Sequence, residues 1–109
     1  MSDTPIVKKN NEAISISVEG IVVPYDILHN SNLNAMDKLA YGVIFQNSAF
    51  KSEGIYECIL SNSDLALHLC VLERSLRKIL ARLCKRGLIL VYYELGGNRV
   101  IEIDDRGMK

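Results

Sequence analysis

LSNSDLALHLCVLERSLRKILARLCKRGLILV, residues 60–91, decides how the rest of the chain folds. Ser61 or Ser63 can cap a helix, its side-chain oxygen accepting one of the orphan N–H groups of the first turn. Leu65, Ala66 and Leu69 then share one face. Cys70-Val71-Leu72 contains neither Gly nor Pro, yet the apolar pattern restarts after it. Leu76, Ile79, Leu80 and Leu83 stand at i, i+3, i+4 and i+7, the stripe of an amphipathic helix. Arg74, Arg77, Lys78, Arg82 and Lys85 occupy its opposite side. Gly87 follows where a helix C-terminus needs positive φ. The run from Leu88 to Tyr93 is extended. The stretch therefore predicts helices over 62–69 and 73–86, joined by a tight turn and running into a strand.

Charge is distributed unevenly around this stretch. The 109-residue chain is neutral overall, with 13 basic and 13 acidic residues. Residues 71–87 hold six Lys/Arg and one Glu, whereas residues 1–70 hold four Lys against eight Asp/Glu. A neutral chain whose positive charge gathers on one helix has a directed field, which says more about partners than net charge does. A bland reading competes, in which the arginines only keep the helix soluble.

Length and composition bound the remainder. The chain suits one domain, and 49% hydrophobic with 24% charged residues is ordinary for a globular protein. No apolar run approaches the ~20 residues of a membrane span, and MSDTPIVKKNNEA carries no apolar signal core. A cytoplasmic location is expected. Cys58, Cys70 and Cys84 are odd in number and form no CxxC pair, so they read as buried free thiols rather than a metal set. No metal and no cofactor is expected.

Before the decisive stretch, residues 1–12 read as a flexible N-terminal arm, able to touch nucleic acid or simply mobile. Ile14-Ser15-Ile16-Ser17-Val18 alternates as a strand does. Ile21-Val22-Val23 is a second extended run ending at Pro24. Tyr25 to His29 suits one helical turn with Pro24 near its start. Asn34 and Asp37 form a capping-box pattern ahead of a helix over 35–46, with Met36, Leu39, Ala40, Val43 and Ile44 at helical spacing. Gly42 inside it implies the close approach of another helix or strand. NSAFKSEG, residues 47–54, reads as a polar loop around Phe50, and residues 55–60 as a short strand. After Gly87, LILVYYE turns at Leu95-Gly96-Gly97-Asn98 and returns as RVIEI, a hairpin over 88–103 whose glycines supply positive φ. Residues 104–109 read as a flexible tail. The expected core is Leu39, Val43, Ile44, Leu65, Leu69, Leu76, Leu80, Leu83 and Ile89.

In the order IVVPYDIL, LNAMDKLAYGVIF, SNSDLALHL, CVLERSLRKILARLCKRGLI and hairpin, residues 21–103 resemble the winged helix-turn-helix domains of phage and plasmid replication initiators and of small bacterial regulators. The resemblance implies an α+β winged helix-turn-helix domain over 13–103, with three main helices and a small antiparallel sheet. It departs from the family at Leu72, a poor cap where a small or polar residue is usual, and at Glu73, where a basic or polar one is. An acidic first turn suits the helix dipole but repels phosphate; Glu73 could instead accept from a cytosine N4.

No P-loop, GxSxG or HExxH is present, His29 and His68 are isolated, and no carboxylate pair stands out. An enzyme is not expected. A helix about 10–12 Å across fits the DNA major groove. The resulting expectation is a sequence-specific binder of double-stranded DNA, a transcriptional regulator or replication-initiation accessory. Its contact set is Glu73, Arg74, Ser75, Arg77, Lys78 and Arg82 on the basic helix, with Arg99 beside the Gly-Gly-Asn tip reaching phosphate or the minor groove. A homodimer is expected, through the N-terminal strand or the hairpin edge. The rival is a small winged-helix module that binds a host protein complex and inhibits or recruits it.

Overall fold

The computed structural model describes residues 20–104. The expected arm (1–12), the ISISV strand and most of the expected tail lie outside them. The described residues form α1 (Tyr25–Leu28), α2 (Ala35–Gln46), β1 (Ser48–Ser52), β2 (Ile55–Cys58), α3 (Asn62–Leu69), α4 (Glu73–Lys85), β3 (Leu90–Tyr93) and β4 (Arg99–Asp104). The architecture is mixed α+β. The four strands make one antiparallel sheet in the order β1-β2-β4-β3. α2, α3 and α4 pack on one another, and α2 also meets β2.

The helices begin and end where local chemistry sets them. Pro24, with φ −57° and no N–H to leave unsatisfied, precedes α1. Asn34 caps α2: Asp37 N donates to Asn34 Oδ1 at 2.8 Å and Asn34 N donates back to Asp37 Oδ2 at 3.4 Å. Ser61 caps α3, accepting from Asp64 N at 3.0 Å. Leu72 stands at the N-cap of α4 with no side-chain hydrogen bond. The turn between α3 and α4 closes through Cys70 in the left-handed region at φ 57°. This conformation strains a side chain with a Cβ. α4 stops at Gly87 (φ 74°), with Gly87 N donating to Cys84 O and Leu88 N to Leu83 O. The paired 5→2 and 6→1 bonds satisfy the last carbonyls.

The core joins the helices to the inner face of the sheet. Leu76, Ile79, Leu80 and Leu83 of α4 are buried with Leu65 of α3, Ile44 of α2 and Cys58, Ile101 and Ile103 of the strands. Of the expected core residues, Leu69 is half-buried and Leu39 is exposed at 43%. The buried face of α2 is centred instead on Asp37, Tyr41 and Ile44, and Leu39 shares the open side with Ala35 and Gln46. Gly42 confirms the expected close approach, but the neighbour is the extended segment 21–23, which forms no strand. A Cβ at Gly42 would lie 3.0 Å from Val23 Cγ2, 3.1 Å from Ile21 Cδ1 and 3.3 Å from Val22 O.

The second correction concerns residues 47–54, which form β1 and the turn into β2 rather than a loop. Asn47 Nδ2 and Ser48 Oγ donate to the Val43 and Ile44 carbonyls, closing α2 directly into β1. Phe50 is exposed and meets Tyr56 edge-on, with ring centroids 6.1 Å apart. On the outer sheet face Glu57 and Glu102 stand directly opposite each other, a repulsive cross-strand pair. Lys51 of β1 bridges the two carboxylates and offsets part of that repulsion, its Nζ 2.9 Å from Glu57 Oε2 and 3.2 Å from Glu102 Oε2. Tyr92 Oη donates to Glu57 at 2.5 Å. That bond first, and Lys51 second, hold the Glu57 carboxyl below its ordinary range and its protonation to lower pH. The thiols also depart from expectation: Cys58 is buried, but Cys70 and Cys84 are exposed.

Candidate nucleic-acid interface

The burial of Leu76, Ile79, Leu80 and Leu83 fixes which side of α4 faces outward. Arg74, Arg77, Lys78 and Lys85 are exposed there. At 3.6 residues per turn, Arg74, Lys78 and Lys85 (i, i+4, i+11) form the outermost stripe and Arg77 flanks it. Glu73 lies one turn before Arg77, with 3.8 Å between Arg77 Nη1 and Glu73 Oε1. Both side chains are about half exposed, and such a pair holds neither in place. Ser75 is half-buried on the other flank. The structure thus brings Glu73, Arg74, Arg77 and Lys78 together on one accessible surface.

Arg82 is placed differently. Its guanidinium turns to α2 and grips Asp37: Nε donates at 3.1 and 3.0 Å to the two carboxylate oxygens and Nη2 at 2.8 Å to Oδ1. Asp37 is 1% exposed. The fork geometry suits a planar bidentate pair, and the bond to Asp37 raises the Arg82 pKa. The same carboxylate closes the α2 capping box, so one side chain fixes the start of α2 and the position of α4. The spacing that put Arg82 among the basic residues carries no information about a carboxylate 45 positions earlier.

Arg99 also turns inward. It pairs across the hairpin with Tyr93, but Nη2 donates to Leu60 O and Asn62 Oδ1, each at 2.6 Å. The guanidinium therefore ties the hairpin to the start of α3 and does not extend from the tip. The tip itself, between Glu94 and Asn98, is closed by Glu94 N donating to Asn98 O and Gly97 N to Glu94 O, with Gly96 and Gly97 at φ 99° and 90°. Leu95 there is fully exposed.

Two features of this surface escaped the sequence reading. Lys85 was visible as a basic-face residue but not as part of the contact stripe, although it stands seven residues after Lys78. Asn62 and Tyr93 join Arg99 in lining two clefts beside the hairpin, a juxtaposition that only the folded chain creates. Among the described residues no group of three or more His, Cys, Asp or Glu is placed to hold a metal ion, and no helix is long and apolar enough to cross a membrane.

No protein-family model matches the chain, and a search of curated proteins finds no relative. A search of solved structures finds a chain described as the N-terminal domain of a DNA binding protein. It superimposes with a TM-score of 0.62 over 84% of this chain and 83% of its own, at 19% identity. At that identity the likeness is one of fold: the arrangement of helices and sheet described above is similar to that of the N-terminal domain of a DNA-binding protein.

Proposed function

We propose that this chain is a winged helix-turn-helix domain that binds double-stranded DNA, with α4 as the recognition helix and the β3–β4 hairpin as the wing. The observation that carries the reading is the outward face of α4. Four cations, Arg74, Arg77, Lys78 and Lys85, are exposed on one helix whose other face is fully engaged in the core. A helix of this diameter enters the major groove, and cations along it contact phosphates on both sides. The shared fold with a domain of a DNA-binding protein supports the same reading. Within it, the role is that of a transcriptional regulator or replication-initiation accessory, acting as a two-fold dimer on paired half-sites. The contact set is Glu73, Arg74, Ser75, Arg77, Lys78 and Lys85, with Arg82 reassigned to holding α4 in place.

One observation favours the rival protein-interaction reading. Leu67 and Leu72 are exposed at 77% and 62% beside the entrance to α4, where an apolar partner surface could seat. The two readings separate in one experiment. Binding of the full chain to a random-sequence duplex is compared with that of a variant carrying Arg74→Ala, Lys78→Ala and Lys85→Ala. DNA binding through α4 predicts that the triple variant stays folded and loses at least tenfold in affinity. Equal affinity of the two proteins rejects α4 as the interface, and no duplex binding by the parent turns the assignment to the protein partner.

A further inference from the structure

Arg99 is a half-buried cation with no anion beside it among the described residues. Both acceptors of its Nη2 are neutral, a backbone carbonyl and an amide oxygen. Its Nη1 is buried with no hydrogen-bond partner. Among the described residues no carboxylate lies within ion-pair distance of it, whereas Lys51, Arg77 and Arg82 each have one. Burial pushes the guanidinium pKa down. A desolvated charge is tolerated when a counter-charge and hydrogen bonds repay its lost hydration. Here the hydrogen bonds are partial and the counter-charge is missing.

The surroundings of Arg99 indicate where that counter-charge enters. A cleft of about 480 Å³ separates the start of α3 from the hairpin turn. A second, of about 280 Å³, separates α4 from β3 and has Arg77 on its rim. Asn62, Tyr93 and Arg99 line both, so the three side chains stand where the two clefts adjoin. Asn62 Oδ1 is occupied by Arg99, which leaves its Nδ2 to donate. Tyr93 is 71% exposed, and among the described residues Arg77 is held only by its long contact to Glu73. Glu94 lines the hairpin end of the larger cleft, which confines an incoming anion to the α4 end.

We propose that the junction of these clefts takes a phosphodiester group of duplex DNA, with Arg99 as its fixed cation, Arg77 closing from α4, and Asn62 as a neutral donor. The proposal rests on the DNA-binding reading above and makes it more specific. Arg99 serves the backbone and not the minor groove, and Arg77 becomes a backbone contact rather than a base reader. A phosphate held between the hairpin and α4 fixes the register of α4 in the neighbouring groove.

The test is a salt series on duplex binding with Arg99→Gln and Arg99→Lys, each checked for folding by circular dichroism. Removing one phosphate contact lowers the slope of log affinity against log salt by about 0.9. Arg99→Gln is expected to show this loss equally on unrelated sequences, and Arg99→Lys to keep most of the parental slope. A parental slope in folded Arg99→Gln, or a loss confined to one sequence, overturns the proposal. Failure of the parent to bind any duplex defeats the underlying reading instead. The cleft is then tested by titrating the parent with inorganic phosphate at constant ionic strength while following the Arg99 Nε–H resonance. A saturable shift supports an anion site at this junction, and an unmoved resonance rejects it.

Discussion

Two arginines are drawn inward on opposite sides of α4, and they are drawn inward for different reasons. Where α2 meets α4, Arg82 meets a buried carboxylate with three short hydrogen bonds, and the charges cancel within the domain. Where the hairpin meets α3, Arg99 finds only neutral acceptors. The first arrangement is complete in the isolated chain and needs nothing from outside. The second is incomplete and adjoins open clefts. The contrast separates a cation whose charge is balanced within the fold from one whose charge the described residues leave unpaired, a distinction invisible in charge counts.

The largest effect should come from breaking the complete arrangement. Arg82→Ala strands the Asp37 carboxylate in the core with only the backbone N–H of Asn34. Breaking a fully buried pair costs about 3–5 kcal/mol. Because the Arg82 side chain is 45% exposed and its pair is partly screened, a loss of about 2 kcal/mol is expected by urea denaturation. A loss below about 0.5 kcal/mol would remove the structural role from Arg82 and return it to the binding set. The matching change at the incomplete arrangement, Arg99→Gln, should cost under about 1 kcal/mol, since it surrenders hydrogen bonds but also relieves a desolvated charge. A loss as large as that of Arg82→Ala would erase the contrast.

A third charge cluster offers a comparison under acid. Lys51 with Glu57 and Glu102 is likewise an internal cluster, one cation bridging two carboxylates. Because Tyr92 and Lys51 depress the Glu57 pKa below its ordinary 4.5, the unfolded chain binds the proton more tightly than the folded one. The contribution is therefore present above about pH 4.5 and lost as pH falls through the folded value. In Glu57→Gln the decline of stability below pH 4.5 should flatten, while Arg99→Gln should leave it unchanged. The smallest effect serves as a control that touches neither arginine. Cys70→Gly relieves the left-handed strain in the α3–α4 turn, offset by the freedom glycine gains when unfolded, and should stabilise by about 0.5 kcal/mol.

Most of the helical layer was legible because its signals are local. The Asn34–Asp37 capping box, the Ser61 cap, the stripe from Leu76 to Leu83 and the stop at Gly87 each lie within a few residues of what they determine. Leu39 misled because α2 is covered on several sides, and its periodicity fits more than one facing. β1 was illegible: SAFKS is an exposed edge strand with no alternation, and what makes it a strand is pairing with β2 and the reach of Lys51 to Glu102, 51 positions away. The basic surface was half legible. Spacing placed Arg74, Arg77 and Lys78 on one face, but the fates of Arg82 and Arg99 depend on Asp37 and on Leu60 and Asn62, which only folding brings near.

The central claim is that the exposed cations of α4 meet a phosphate backbone, and the salt dependence of the parent protein on random-sequence duplex DNA tests it most directly. The chain is neutral overall, so net charge alone gives no reason for strong salt dependence. Three to five phosphate contacts predict a log–log slope of about −3 to −5, since each contributes about −0.9. A slope near zero, or no binding down to about 50 mM salt, would contradict the account.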